Sequence, residues 1–276
     1  MKLPAALSAL LCSLGLAPAF AEAPFFASGV RIGEVSDSRA IIWGRITAQA
    51  DRNWDGLAPA PLMSPTRVFV ESPDAPASIW EGAVPGRAGR LRAGVALFPD
   101  LRDARWTDWT EVGANTDYSQ KFHLKDLAPA TRYYVALESQ ANSTGPTRRS
   151  PLASFQTAPP ADRWDEVWFT VITCQLYYQR DAREGFQIYR SMANLSPLFL
   201  GYPHFVVSTG DNVYYDRDNP RARTVDLCRL HWQRMYSLPM LREFFRQVPG
   251  YWQKDDHDSF PLTTAIRRSK HLGSSR

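Results

Sequence analysis

The sequence predicts a β-sandwich followed by an α/β layered segment. Residues 25 to 158 break into short runs of alternating polarity separated by Pro, Gly, Asp and Asn, with no helical period among them. From Asp165 the texture changes to continuous apolar runs alternating with stretches of helical spacing. Between the two lies "APPADRW" (158–164), which reads as a linker. A length of 276 residues suits two domains, and 44% apolar with 12% aromatic residues is ample for a packed core.

The first residues have the layout of a secretory signal. Lys2 is the positive start, Leu7 to Leu16 the short apolar core, and Ala19-Phe20-Ala21 a small-x-small cleavage site. The expectation is a signal peptide over 1–21, cleaved after Ala21, with export by a Sec-type route to the periplasm or beyond. No twin arginine is present, and Cys12 lacks the small preceding residue of a lipoprotein signal. The apolar run is too short to span a bilayer, which leaves an uncleaved anchor or a disordered start as the alternatives.

In the first domain (25–158) the clearest strands are "RAIIWGRI" (39–46), "TRVFVES" (66–72), "SQKFHLKDL" (119–127), "TRYYVALES" (131–139) and "SPLASFQTA" (150–158). The Pro- and Gly-rich stretch from Asp51 to Pro65 reads as an insertion loop. "LAPATRYYVAL" has a Leu-x-Pro-x-Thr-x-Tyr layout and resembles a fibronectin type III or immunoglobulin-like domain.

The second domain (165–258) opens with "EVWFTVIT" (166–173), a continuous apolar run expected as a buried parallel strand. "DAREGFQIYRSMANL" (181–195) places Phe186, Tyr189 and Met192 at helical spacing. "HFVVSTG" (204–210) is a second strand, 222–237 and 239–247 are helical, and "GYWQK" (250–254) is a third strand.

Charge and cysteines narrow the function classes. The formal net charge is +4, but Arg267, Arg268, Lys270 and Arg276 sit in a tail without acids, so the rest is neutral and no nucleic-acid surface is indicated. That tail (259–276) offers only Leu262, Ile266 and Leu272 at no consistent period and is expected to be poorly ordered. Outside the signal, Cys174 and Cys228 are the only cysteines. Cys228 shares a helical face with Val225, Trp232 and Met235 and reads as a buried structural residue, so no disulfide is expected. Nothing in the chain points to an oligomeric state.

Each strand of the second domain ends in a polar cluster. Cys174-Gln175 follows the first, Asp211 through Tyr214 the second, and Asp255, Asp256, His257 and Asp258 the third. Sites in open α/β sheets form at these carboxyl ends, and a multivalent cation offsets the repulsion of crowded carboxylates. A thiolate with a phenolate suits a ferric or redox-capable ion, whereas carboxylates alone suit calcium, magnesium or manganese. A site holding both donor types suits two different metals, with Asp211 as the natural bridge. Taken singly, Cys174 reads more as a small buried hydrophobe than as a ligand, Gly210-Asp211 as a strand-to-loop turn and His257 as a helix cap. Arg242, Arg246 and Lys254 read as surface charges, and His123, His204 and His231 as structural.

The ordered set "ITCQ" (172–175), "STGDNVYY" (208–215) and "YWQKDDHD" (251–258), behind a sandwich bounded by "GVRIGEV" and "SFQTAPP", resembles the PhoD-like alkaline phosphatases of the calcineurin-like metallophosphoesterase superfamily. The resemblance implies a partial metallophosphoesterase domain. It implies Fe(3+) held partly by Cys174 and Tyr214, with Ca(2+) beside it and no organic cofactor. Asp211 would bridge, Asp256 would bind metal, and His257 would contact phosphate and protonate the leaving oxygen. Asp255, Asp258 and Gln175 would serve as further ligands or supports. The implied reaction is hydrolysis of a phosphate ester by metal-activated water. Family members continue past this motif with a Gly-Asp-x-His segment that 259–276 does not offer, so a truncated and impaired product is expected. The alternative is a non-catalytic exported β-sandwich binding module with a vestigial phosphatase remnant.

Overall fold

The computed structural model describes residues 21–57, 75–194 and 202–259. The signal peptide up to residue 20, the strand expected at 66–72, the insertion loop beyond residue 57 and the tail from residue 260 lie outside the described residues.

In chain order the first part forms β1 (Val30–Gly33), β2 (Ala40–Arg45), β3 (Gly89–Ala96), β4 (Arg105–Trp106), β5 (Thr110–Val112), β6 (Ser119–Leu124), β7 (Arg132–Gln140), β8 (Arg148–Arg149) and β9 (Ala153–Gln156). One sheet has the order β1-β2-β6 and the other β4-β3-β7-β8, with β5 joined to β3 and β9 to β7. All pairings are antiparallel, with Ile42 opposite Phe122 and Ala93 opposite Leu137. The period-two apolar positions now have their cause. Ile32, Ile42, Leu91, Val95, Phe122, Val135, Leu137 and Phe155 meet in one buried cluster fed by both sheets.

The long strand β3 is not among the strands read from the sequence. Its "GRLRAGVA" alternates Arg90 and Arg92 with Leu91 and Ala93, but its two glycines and two alanines leave few large apolar residues to mark a strand. Those arginines lie over the rings of Trp109 and Trp106 at 4.5 and 4.7 Å, a cross-strand stabilisation invisible in one strand's sequence.

The second part forms β10 (Phe169–Ile172), α1 (Gln187–Ala193), β11 (Phe205–Ser208), α2 (Val225–Tyr236), α3 (Pro239–Phe245) and β12 (Gly250–Trp252). The three strands make a parallel sheet in the order β10-β11-β12. Thr224 caps α2 by accepting from the Leu227 N–H at 3.2 Å, and Pro239 starts α3, where its missing N–H costs nothing. Tyr189 and Met192 of α1 pack with Leu241, Phe244 and Phe245 of α3 against Val206 and Ile172.

The first of these strands corrects the expectation of a buried run over 166–173. Only Phe169–Ile172 is strand, and Phe169 and Val171 are 53% and 58% exposed. The helical core takes up Ile172, on the alternate side, and among the described residues β10 is an edge of the sheet. An apolar run was read as burial on both faces, but only one face is covered.

Cys228 is likewise half-buried rather than core, and Val225 is exposed. The buried stripe of α2 is Leu227, Leu230, His231, Arg234 and Met235, so Cys228 lies on its flank. Both Cys174 and Cys228 are free, in agreement with the expectation of no disulfide. Arg242 and Arg246 are not mere surface charges. Arg242 Nη1 donates to Ala27 O at 3.1 Å, Arg246 Nη1 donates to Leu152 O at 2.6 Å, and both tie the sandwich to α3.

The two parts share an interior. Trp80 and Ala83 pack with Ala222, Leu227 and Leu230. Arg52 Nη1 donates to Arg234 O at 2.7 Å, and the Tyr251 hydroxyl donates to Val35 O at 3.2 Å. No helix among the described residues is long and apolar enough to cross a membrane.

Candidate metal centre

The loops that leave the carboxyl ends of β10, β11 and β12 are bound to one another by backbone hydrogen bonds. Thr209 N–H donates to Ile172 O at 2.9 Å, Gln175 N–H to Asp211 O at 3.0 Å, and Gln253 N–H to Ser208 O at 2.8 Å. Cys174 (φ 56°) and Asp211 (φ 52°) both adopt the left-handed region, beside Gly210 at φ 120°. Such conformations cost on the order of 1–3 kcal/mol each for non-glycine residues and persist where the surroundings over-determine them.

Asp258 and Asn212 hold the second and third loops together. Asp258 Oδ2 accepts from the Asn212 N–H at 3.0 Å and from Asn212 Nδ2 at 2.6 Å, and Oδ1 accepts from the Asp255 N–H at 2.7 Å. Asn212 Nδ2 also donates to Gln253 O at 2.8 Å, while its Oδ1 accepts from the Ser208 hydroxyl at 2.6 Å. Asp258 is therefore occupied as a loop support. Asp255 accepts from the Asp256 N–H at 2.9 Å and packs against Gly210, where a Cβ would come within 2.5 Å of Asp255 Cβ. Glycine at 210 permits that approach. Gln175 turns towards α1, and its Oε1 accepts from the Tyr189 hydroxyl.

The remaining side chains converge on Asp211. The Tyr214 hydroxyl donates to Asp211 Oδ2 at 2.9 Å, and the Cys174 thiol donates to the same oxygen at 3.5 Å. Asp211 Oδ1 is buried and has no hydrogen-bond partner among the described residues. Asp211, Asp256 and His257 each present a ligand atom, all within 4.8 Å of one another. Burial, then hydrogen bonding to Cys174 and Asp211, pushes the Tyr214 phenol well above its usual range. The phenol is therefore a neutral donor until a cation is present to favour its ionised form.

These residues fit a cation. A buried carboxylate oxygen without a donor is costly unless a positive charge takes it, and the donor set combines carboxylates, an imidazole, a thiol and a phenol. Cys174 and Asp256 are exposed, so one side of the cluster opens to water.

Three contacts here were not read from the sequence. His257 Nδ1 lies 2.7 Å from Asp216 Oδ1, and because an ionised carboxylate only accepts, Nδ1 carries the proton. The His257 ring also lies 4.5 Å from that of Tyr214, and the Arg217 guanidinium lies 5.8 Å from the Tyr214 ring. Asp216 is the exposed first acid of a "DRD" whose second, Asp218, is buried, and no local spacing in the sequence sets the two apart.

The profile of the PhoD-like phosphatase N-terminal domain matches residues 13–159. The chain belongs to the PhoD-like phosphatases. The solved structure of PhoD superposes on this PhoD-like chain with a TM-score of 0.60 at 19% identity, covering 87% of this chain and 40% of that one. That likeness is one of fold, and this PhoD-like chain spans 40% of the length of the PhoD structure. The sensor domain of the anti-sigma factor RsgI4 of Pseudobacteroides cellulosolvens is 13% identical, with a TM-score of 0.28, covering 48% of this chain and 94% of that one. The FN1–FN3 domains of chicken CNTN1 are 16% identical, with a TM-score of 0.28, covering 49% and 33%. No curated protein matches the chain.

Proposed function

We propose that this chain is an exported, metal-dependent phosphoric ester hydrolase of the PhoD-like alkaline phosphatase type, with residues 165–258 forming a partial metallophosphoesterase domain. The observation that carries this reading is the carboxylate of Asp211. One of its oxygens collects Tyr214 and Cys174, the other is buried without a partner among the described residues, and the carboxylate offers a ligand atom within 4.8 Å of those of Asp256 and His257.

Cys174 and Tyr214 would hold a ferric ion, Asp211 would bridge to a calcium ion, and Asp256 would complete the set from the third loop. When bound, such cations supply Lewis acidity to a phosphoryl oxygen and to an attacking water. The chain's own residues do the rest. Asp216 accepts from His257 Nδ1 and fixes the ring and its tautomer, which leaves Nε2 as the nitrogen that passes a proton to the leaving ester oxygen. Asp258 and Asn212 hold the second and third loops at a fixed separation. Because Cys174 and Asp256 face water, electrostatic stabilisation at the site is screened and turnover is expected to be slow.

Hydrolysis of p-nitrophenyl phosphate and bis(p-nitrophenyl) phosphate by the full chain, with and without added Fe(3+) and Ca(2+), tests this. Slow metal-dependent release, below about 1 per second and lost in Asp211→Asn, is expected. Identical rates for the two proteins with metal present would overturn it and favour a non-catalytic binding module.

A further inference from the structure

Asp211, Tyr214 and Asp216 ride on one segment that leaves β11, so their positions depend on how its far end is anchored. That anchor centres on a buried guanidinium on α2, beside the Tyr178 hydroxyl, which donates to Asn219 O at 2.8 Å, and the Tyr177 N–H, which donates to Asp218 Oδ2 at 3.4 Å. Arg234 is 1% exposed. Its Nη1 donates to Asn219 O at 2.5 Å and to the Tyr178 hydroxyl at 3.0 Å. Its Nη2 lies 3.5 Å from Asp218 Oδ2 and donates to His231 Nδ1 at 3.0 Å. His231 in turn donates from Nε2 to Pro220 O at 2.8 Å. Burial, then the Arg234 charge, holds His231 well below its usual range, consistent with a neutral ring that accepts at Nδ1 and donates at Nε2.

The same segment is closed at its near end by its own backbone. Asp218 N–H donates to Tyr214 O at 3.2 Å and Ala222 N–H to Tyr215 O at 2.9 Å. Fixing Asp218, Asn219 and Pro220 therefore fixes the turn that presents Tyr214. Arg234 is itself pinned from the sandwich. Its carbonyl accepts from Arg52 Nη1 at 2.7 Å, and Arg52 Nη2 lies 3.2 Å from Glu81 Oε1. Glu81 also accepts from the Tyr177 hydroxyl at 2.7 Å. One planar fork thus serves Asp218 and Asn219 directly and Pro220 through His231, a geometry that a point charge on a flexible stem reproduces only in part.

We propose that Arg234 is a positioning residue for the Asp211–Tyr214 segment and sets the cation affinity of the cluster without touching it. This rests on the metal reading above. Groups hydrogen-bonded directly to a metal ligand typically change affinity by about 10–100-fold when lost, and Arg234 acts one residue further out, through Asp218, whose N–H meets Tyr214 O.

Terbium(III) luminescence, excited through the aromatic side chains, measures cation binding to the full chain without any assay of turnover. Four variants separate the outcomes: Asp211→Asn, Arg234→Met, Arg234→Lys, and Leu137→Ala in the distant sandwich core as a control for general destabilisation. All are compared well below their unfolding temperatures. The expected result is loss of binding in Asp211→Asn, weakening of about tenfold or more in Arg234→Met, partial recovery in Arg234→Lys, and wild-type affinity in Leu137→Ala. Arg234→Lys guards against failure of the methionine variant to fold, because it keeps the buried positive charge opposite Asp218. Wild-type affinity in both Arg234 variants would overturn the positioning role while the metal site stands. Equal weakening in Leu137→Ala would reduce the effect to stability and overturn it too. Unchanged binding in Asp211→Asn would remove the metal reading, and this inference with it.

Discussion

Tyr214 and Asp211 stand three residues apart on one loop, and the phenol donates to Asp211 Oδ2 at 2.9 Å. Removing that hydroxyl in Tyr214→Phe leaves that oxygen the Cys174 thiol at 3.5 Å. In the absence of metal the variant is expected to lose about 1.5–3 kcal/mol, the worth of a hydrogen bond to a charged acceptor. Added ferric ion should give the wild-type chain a visible absorption from phenolate ligation. Persistence of that band in Tyr214→Phe would assign it to another tyrosine.

Gly210 is irreplaceable for two separate reasons. Its φ is 120°, and an added Cβ would come 2.5 Å from Asp255 Cβ. Gly210→Ala is expected to cost about 1–3 kcal/mol and to push the third loop, with Asp256 and His257, away from Asp211. Thermal unfolding and terbium affinity should both decline. A stable variant that binds cation normally would show that the loops need no such close approach.

Acid should destabilise the protein through His231. Burial and the Arg234 charge lower its folded pKa, so the unfolded chain binds a proton that the folded one refuses. The stabilisation is complete above the unfolded value of about 6.5 and is lost as pH falls below it, by up to about 1.4 kcal/mol per pH unit. His231→Gln, which keeps an N–H for Pro220 O, should flatten the decline in unfolding temperature between about pH 7.5 and about pH 5. An undiminished slope would place the acid sensitivity in another group.

The outer face of β10 should behave as surface, not core. Val171→Lys is expected to change stability by no more than about 0.5 kcal/mol and to reduce self-association seen by light scattering as concentration rises. A loss of several kcal/mol, as for a buried valine, would mean that this face is covered.

The candidate ligands were legible because strand ends are where side chains of an α/β sheet can meet, and "TCQ", "GDNVYY" and "DDHD" each follow an apolar run. Their partners were less legible. Asp216 reaches His257 across 41 residues, and Arg234 meets Asn219 O across 15. Nothing in either local sequence distinguishes them from solvated charges.

The sequence by itself determined the two textures, the period-two strands of the sandwich, the helices around Tyr189 and Phe244, and the three polar strand ends. These depend on local periodicity and on chemistry that neighbours along the chain already display. Only the tertiary structure decided that β3 pairs with β7, that β10 lies at an edge with Phe169 and Val171 outward, and that Asp258 supports while Asp211 faces the cluster. Those outcomes depend on which face meets a partner and which carboxylate finds its donors. Both are properties of packing between segments distant in sequence, which no single stretch of residues carries.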